Sequence, residues 1–199
     1  YILSGYTLIG AFFLATEDSS SPVNTVPMLI YGIVGGIMTV LIRNIGAYIA
    51  SPLAVIIGKG GKNITEAEAY DHILGYTCFN DVSQRNIQNS DRSGWFRGKS
   101  FDTFGPVGPC VVRREDLKDP GNLKIECRLN GKTVQSSSTR YMIFPIPEIL
   151  SFVSRNFTLE AGDLICTGTP SGVGPLHDGD VVEVEIEGIG VLRNPVQEE

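Results

Sequence analysis

The most informative segment of this chain is Gly75-Tyr-Thr-Cys-Phe-Asn-Asp-Val-Ser-Gln-Arg85, an apolar run that turns polar at Asn80 and Asp81. A short apolar run bounded by polar residues is typical of a buried strand. A carboxylate at the end of such a strand can bind a hard cation that prefers oxygen ligands, such as Mg²⁺ or Mn²⁺. Aspartate is also common in turns and helix caps. Residue type alone therefore leaves open whether Asp81 binds a metal or stabilises a turn or cap.

Two later segments extend the pattern, and they read Gly94-Trp-Phe-Arg-Gly-Lys-Ser-Phe-Asp-Thr-Phe104 and Thr167-Gly-Thr-Pro-Ser-Gly-Val-Gly174. In order and spacing, the three segments resemble motifs of the fumarylacetoacetate hydrolase family, and the similarity runs from about Leu53 to Val196. The resemblance implies a mixed β-roll domain of the family's C-terminal catalytic type, which is usually a homodimer. It also implies a divalent metal and a small-molecule substrate that is a 2-oxo acid or a 1,3-diketone.

The resemblance further implies roles for five residues. Asp81 becomes a ligand of Mg²⁺ or Mn²⁺, and Lys99 and Thr169 become catalytic and substrate-binding residues. An ammonium and a hydroxyl group can bind the oxygens of a 2-oxo acid and its enolate. Arg85 and Gln88, in a Ser-x-Arg-x-x-Gln segment, are expected at the far end of the substrate. Residue type alone favours a surface lysine at position 99 and a tight turn at position 169.

Two further metal ligands of the family are missing at the expected positions. They form a Glu-x-Glu pair just before an apolar strand that ends in Gly-Lys. Counting back from Leu53-Ala-Val-Ile-Ile-Gly-Lys59 places this pair at Ala50 and Pro52, which cannot ligate through their side chains. Because Mg²⁺ depends on carboxylate charge, we expect metal binding to be weak or lost. Divergence or frame damage of the N-terminal sequence, a carboxylate from elsewhere, and loss of catalysis remain as explanations.

The expected function is therefore that of a metal-dependent hydrolase, or a decarboxylase or isomerase. Its substrate would be a 2-oxo acid or an acylpyruvate-like 1,3-dicarbonyl that reacts through a metal-bound enolate. The reaction would belong to catabolism. The alternative is a catalytically impaired or inactive family member that serves as a binding or membrane-associated protein. A cytoplasmic location is expected, or a mitochondrial one if the source is eukaryotic.

Composition excludes several other classes of protein. The chain has 199 residues, a formal net charge of −6 and a pI near 5.0. Because its charges are mixed in sign, we expect no basic surface and no nucleic-acid partner. The cysteines form no Cys-x-x-Cys pair, so neither a zinc site nor a disulfide framework is indicated. We expect them to be small core residues in a reducing compartment, and they are Cys78, Cys110, Cys127 and Cys166.

The N-terminal part of the chain differs in composition from the rest. Before Lys59 its charged residues are Glu17, Asp18 and Arg43. The uncharged run from Val26 to Ile42 would span about 26 Å as a helix, which is the short limit for a membrane span. Membrane contact through 26–42 and burial as strands both remain open. We expect a divergent apolar segment over 1–50 and the family-like domain over 51–199; a first residue other than Met suggests a fragment or a processed product.

Two helices are expected. Thr65-Glu-Ala-Glu68 forms a capping box that predicts a helix ended by Gly75. A second helix is predicted over Ile146 to Asn156, because apolar residues recur there at helical spacing after a proline.

Strands are expected in most other places. Leu53 to Ile57 is a buried apolar run, and Lys124 to Leu129 pairs with Thr133 to Gln135 through a type I′ turn at Asn130-Gly131. Val182 to Ile186 alternates apolar residues with glutamates, which predicts a strand whose glutamates form a solvated face without a convergent partner. The chain is thus predicted to be α+β, mostly β, with two short helices.

Overall fold

Strands make up most of the described chain. The computed structural model describes residues 42–43, 47–48, 50–90 and 94–198. The strands are β1 (Ile42–Arg43), β2 (Ala47–Tyr48), β3 (Leu53–Ile57), β4 (Ile73–Phe79), β5 (Ser83–Gln84), β6 (Val107–Arg113), β7 (Lys124–Leu129), β8 (Lys132–Ser138), β9 (Leu164–Cys166), β10 (Val181–Ile186) and β11 (Gly190–Gln197). The helices are α1 (Arg85–Ser90), α2 (Gly94–Arg97) and α3 (Ile146–Asn156), with 3-10 turns at Ala69–His72 and Thr139–Tyr141.

The strands form two main sheets. One has the order β1-β11-β10-β7-β8 and the other the order β6-β4-β3-β9, while β2 and β5 form a separate short ladder. All of these pairs are antiparallel except β1 with β11, which is parallel. The expected α+β, mostly β architecture of the mixed β-roll type is therefore confirmed.

The core lies between the sheets and beneath α3. Strand β3 is buried at every position because β4 and β9 flank it and both of its faces are covered. Its continuous apolar sequence fits this place, since a strand covered on both faces needs no polar alternation. In β10, Val182, Val184 and Ile186 are almost completely buried. Each buried aliphatic side chain of this size contributes about 1.5–3 kcal/mol relative to exposure.

Two of the expected elements form as predicted. Helix α3 has the predicted bounds, starts after Pro145 and buries Ile146 and Leu150 against the core. The β7–β8 hairpin turns at Asn130 and Gly131, whose φ angles of 51° and 77° are those of a type I′ turn.

The helix predicted ahead of Gly75 is wrong. Thr65 does donate its amide and its hydroxyl to the Glu68 carboxylate, at 3.3 and 2.7 Å. The chain nevertheless makes only the 3-10 turn Ala69–His72 and then continues as β4. Tertiary pairing overrides the local signal here, because β4 is held between β3 and β6. Gly75 is a strand residue, and a Cβ atom there would lie 2.2 Å from the Val112 carbonyl oxygen.

Helices α1 and α2 were not predicted from the sequence, and the described residues contain three α-helices instead of two. Both are too short to show a hydrophobic period, the signal by which α3 was predicted. The expectation for the cysteines also needs correction. Cys110 is exposed because it lies on the edge strand β6, whereas Cys78 and Cys127 are buried.

The glutamates on the outer face of β10 were predicted to lack a convergent partner, and this prediction is wrong. The Arg128 guanidinium donates to Glu183 at 3.0 Å and to Glu185 at 2.6 Å from the adjacent strand β7. On the same face, hydrogen bonds from Lys124, Thr133 and Arg128 lower the pKa of Glu126 to about 2. These carboxylates are held by cations of the same sheet, so their arrangement is structural.

Candidate functional site

Asp81 lies where β4 ends. The Asn80 amide donates to Pro106 O at 3.0 Å, and the Asp81 amide donates to Ala50 O at 2.7 Å. The Asn80 side chain is fully buried and accepts a bond from the Ala50 amide at 3.2 Å. The polar turn of the motif therefore fastens residue 50 directly beside Asp81.

Lys99 is the cation closest to Asp81 in the described chain. Its ammonium forms an ion pair with Asp81 Oδ2, and the two side chains are 12% and 28% exposed. The backbone of Lys99 is held by Phe96 O, and the preceding Gly98 carbonyl accepts from the Gln84 amide at 2.7 Å. The predicted metal ligand and the predicted substrate-binding lysine are thus in direct contact.

Thr169 enters the site from the loop that follows β9. Its Oγ1 accepts a hydrogen bond from the Ser51 amide at 2.9 Å and another from Gln135 Nε2 at 3.0 Å. Because Ala50 is bonded to Asp81 and Ser51 to Thr169, both predicted residues are attached to the same short backbone segment. The structure therefore brings Asp81, Lys99 and Thr169 together.

Ser51 and Gln135 are site residues that sequence reasoning missed. Both side chains are essentially inaccessible to solvent, and the Ser51 hydroxyl donates to Gln135 Oε1 at 2.7 Å. The sequence did place Gln135 on the predicted second strand of the hairpin. Nothing in the local pattern indicated that this side chain points inward.

Arg85 and Gln88 lie on α1, shortly after Asp81. The Arg85 guanidinium donates to Gln88 Oε1 at 2.8 Å. Gln88 is buried, and its Nε2 has no hydrogen-bond partner within the described part of the chain. A buried donor without a partner is costly, and an oxygen of a bound ligand would satisfy it. The substrate-binding roles of these two residues remain predictions.

A thiol also lies near the ion pair. Burial raises the pKa of Cys166, the last residue of β9, and the negative charge of Asp81 adds to the effect while Lys99 opposes it. The thiol is therefore protonated at neutral pH and unsuited to act as a nucleophile.

The side chains present do not fit a metal site with three carboxylate ligands. Ala50 and Pro52 are both buried and supply no ligand atom from their side chains. The Asp81 carboxylate forms an ion pair with the Lys99 ammonium. Within the described ranges, no three His, Cys, Asp or Glu residues are grouped closely enough to hold a metal ion. The resemblance implies an Mg²⁺ or Mn²⁺ site, but neither the sequence nor the described part of the structure supplies the ligands for it.

The apolar run Val26 to Ile42 lies outside the described residues except for its last residue. Among the helices that are described, none has the length and hydropathy needed to cross a membrane.

Two family profiles match the chain. Residues 51–197 match the fumarylacetoacetate (FAA) hydrolase C-terminal family. Residues 1–59 are similar to the NQR2, RnfD, RnfE family. The two matches overlap over residues 51–59, a range that contains β3.

Known relatives carry several different activities in their names. The chain is 46% identical over 151 residues to the oxaloacetate tautomerase YisK of Bacillus subtilis, covering 72% of this chain and 50% of that protein. A 2-hydroxyhepta-2,4-diene-1,7-dioate isomerase from Mycobacterium marinum superposes with a TM-score of 0.77 at 44% identity, covering 81% of this chain and 64% of the other. A fumarylpyruvate hydrolase from Pseudomonas aeruginosa, in complex with Mn²⁺ and pyruvate, gives a TM-score of 0.76 at 32% identity, with coverages of 81% and 72%.

The chain spans between 50% and 65% of the length of the first curated relatives that it matches. The profile match covers β3 to β11 and includes all five residues predicted for the site. The fold, the profile match and the relatives agree, and the chain belongs to the fumarylacetoacetate hydrolase family.

Proposed function

We propose that residues 51–199 bind a small 2-oxo acid or acylpyruvate-like 1,3-dicarbonyl at the site formed by Asp81, Lys99 and Thr169. We further propose that turnover by the family's chemistry is impaired in this chain. The observation that carries both statements is the Lys99–Asp81 ion pair next to Ala50. Lys99 supplies a cation that can bind an anionic substrate. Asp81 supplies a single carboxylate at a site for which the resemblance implies three.

The residues of the site suit an anionic, oxygen-rich ligand. An ammonium has three donors, so Lys99 keeps two after bonding Asp81 and can donate them to a carboxylate or an enolate. The hydroxyl of Thr169 stands close by, and Gln88 Nε2 offers a buried donor that lacks a partner in the described chain.

The relatives support the class of substrate without selecting one reaction. Their names include an oxaloacetate tautomerase, a dienedioate isomerase and a fumarylpyruvate hydrolase that holds Mn²⁺ and pyruvate. Hydrolysis, decarboxylation and isomerisation can all proceed through an enolate of a 2-oxo acid. We also propose that any such reaction of this chain belongs to catabolism and takes place in the cytoplasm. The protein would act as a homodimer.

The division of the chain explains the missing ligands. Residues 1–50 form a segment of different origin that replaces the part of the family sequence bearing the Glu-x-Glu pair. The similarity of residues 1–59 to another family supports this proposal, as does the abrupt change in charge near Lys59. This origin of residues 1–50 supports the proposal that turnover is impaired, because the Glu-x-Glu pair is lost with the replaced segment.

The first test is calorimetric titration of the chain with oxalate, a mimic of the enolate, in the presence of a chelator. We expect weak binding that Lys99→Met abolishes, because the mutation removes the cation. Trp95 provides a second signal, since it is the only tryptophan and its ring centroid lies 5.8 Å from Lys99 Nζ. No oxalate binding at millimolar concentration would refute the binding proposal.

The second test titrates Mn²⁺ with and without oxalate and compares the natural chain with Ala50→Glu/Pro52→Glu. The natural chain should bind Mn²⁺ no more tightly than about millimolar, since one carboxylate is a poor site for a hard cation. The double variant should bind at least about a hundredfold more tightly, because two carboxylates are added beside Asp81.

Asp81→Asn in the double-variant background is the matched control, and it should abolish the gain. Tight, oxalate-enhanced Mn²⁺ binding by the natural chain would show that another group has replaced the missing ligands. The proposal of impaired turnover would then be wrong, and acylpyruvates and oxaloacetate should be screened as substrates.

A further inference from the structure

We infer that Gln135 is a positioning residue which, together with Ser51, turns the hydroxyl of Thr169 into an outward-directed hydrogen-bond donor. The ligand atom that this arrangement selects is an oxygen that only accepts hydrogen bonds, as in a carboxylate or an enolate. The inference deepens the proposed function and rests on it for the identity of the ligand.

The oxygen of Thr169 accepts two hydrogen bonds. A hydroxyl oxygen has two acceptor lone pairs and one hydrogen to donate. Both lone pairs are engaged, one by the Ser51 amide at 2.9 Å and one by Gln135 Nε2 at 3.0 Å. The one acceptor recorded for the Thr169 hydroxyl in the described chain is Pro170 O at 3.5 Å, which is too long for a strong bond. The remaining capacity of this exposed hydroxyl is therefore the donation of its proton.

The side-chain amide of Gln135 is held in one orientation by its hydrogen bonds. Its Oε1 accepts from the Ser51 hydroxyl at 2.7 Å, and its Nε2 donates to Pro170 O at 2.8 Å as well as to Thr169. Reversing the amide would place oxygen against oxygen at Pro170 O. Because the side chain is only 1% exposed, water cannot compensate for such a reversal. The hydrogen bonds of Gln135 therefore direct its donor atom, Nε2, and not its acceptor atom, Oε1, toward Thr169.

The loop that carries Thr169 lies against β8. Gly172 has a φ of 104°, and a Cβ atom at this position would lie 2.1 Å from Val134 O. The loop therefore packs directly on the backbone of β8 next to Gln135. This close approach holds the loop against β8 three residues after Thr169.

The arrangement has a chemical consequence for ligand choice. A ligand oxygen that accepts a bond from Thr169 is stabilised most when it bears negative charge. A ligand hydroxyl would gain less, because its own hydrogen finds no free lone pair on Thr169. Gln135 thus influences selectivity without touching the ligand.

The test begins with the free protein, so that it does not depend on ligand binding. In ¹⁵N NMR spectra, Thr169→Val should shift the Gln135 side-chain amide signals and weaken the exchange protection of the Ser51 amide. Thr169→Ser should preserve both, because it keeps the hydroxyl. Thr133→Val is the matched control on β8, since that hydroxyl donates to Glu126 instead. Unchanged Ser51 and Gln135 signals in Thr169→Val would overturn the inference.

The second part measures oxalate affinity by calorimetry. Gln135→Met and Thr169→Val should each weaken binding by about tenfold, the worth of one hydrogen bond to a charged group. The double variant should be no weaker than either single variant, because both remove the same donor. Additive losses would assign Gln135 a general structural role and refute the inference.

The two parts separate the possible failures. If the natural chain does not bind oxalate, the proposed function fails while the NMR comparison still decides whether Gln135 and Ser51 hold Thr169. If oxalate binds and the double-variant losses add, the proposed function stands and the role of Gln135 is wrong.

Discussion

The ammonium of Lys99 and the carboxylate of Asp81 meet in a place that is largely shielded from solvent. Removing one member of such a pair leaves the other charge without compensation, which costs more than the pair itself contributes. In the absence of a ligand, each charge of the pair is therefore compensated by the other.

We predict that Lys99→Met lowers the free energy of unfolding by about 1–3 kcal/mol, because Asp81 is left partly buried and uncompensated. Urea denaturation at neutral pH measures this value. Adding Asp81→Asn to the variant should recover most of the loss, since the stranded charge disappears. Lys132→Met, at an exposed position of the hairpin, is the control. A Lys99 variant as stable as the natural chain would show that the ion pair does not contribute to the free energy of unfolding.

At the scale of elements, β4 shows how tertiary pairing decides between two local tendencies. Its first residues follow a capping signal that favours a helix, yet they form a strand between β3 and β6. The absence of a side chain at Gly75 permits this, because the Val112 carbonyl passes directly over its Cα. Asp81 is positioned only because β4 runs straight into the polar turn.

We predict that Gly75→Ala lowers the free energy of unfolding by about 1–3 kcal/mol, the usual cost of overpacking. Alanine is otherwise better suited than glycine to a strand interior, so any loss measures the clash with β6. Gly174→Ala serves as the control, because nothing lies within 4 Å of a Cβ atom there. Equal unfolding midpoints in urea for both variants would contradict the assigned role of Gly75.

At the scale of the whole molecule, the site is assembled from segments that are far apart in the chain. Ser51 is bonded to Gln135 across 84 positions and to Thr169 across 118. The segment immediately before β3 is therefore an integral part of the domain, even though its side chains lack the expected ligands. Residues 50 and 51 connect the Asp81 turn to the Thr169 loop.

We predict that a chain lacking residues 1–51 is less stable by about 2–4 kcal/mol than one lacking residues 1–49, at about 1 kcal/mol for each lost hydrogen bond. The difference isolates the bonds that Ala50 and Ser51 make to Asn80, Asp81, Thr169 and Gln135. Ser51→Ala in the chain that lacks only residues 1–49 isolates the contribution of the Ser51 side chain, which donates to Gln135. Identical urea midpoints for the two truncations would show that these bonds do not support the domain.

The sequence by itself determined the family, the hairpin at Asn130-Gly131 and the bounds of α3. These features follow from residue types at short, regular spacings, which local chemistry can specify. Only the tertiary structure decided that Asp81 is paired with Lys99, that Gly75 lies within a strand, and that Gln135 holds Thr169. Each of these depends on segments brought together from distant parts of the chain, and no local pattern records which backbone will pass beside which side chain.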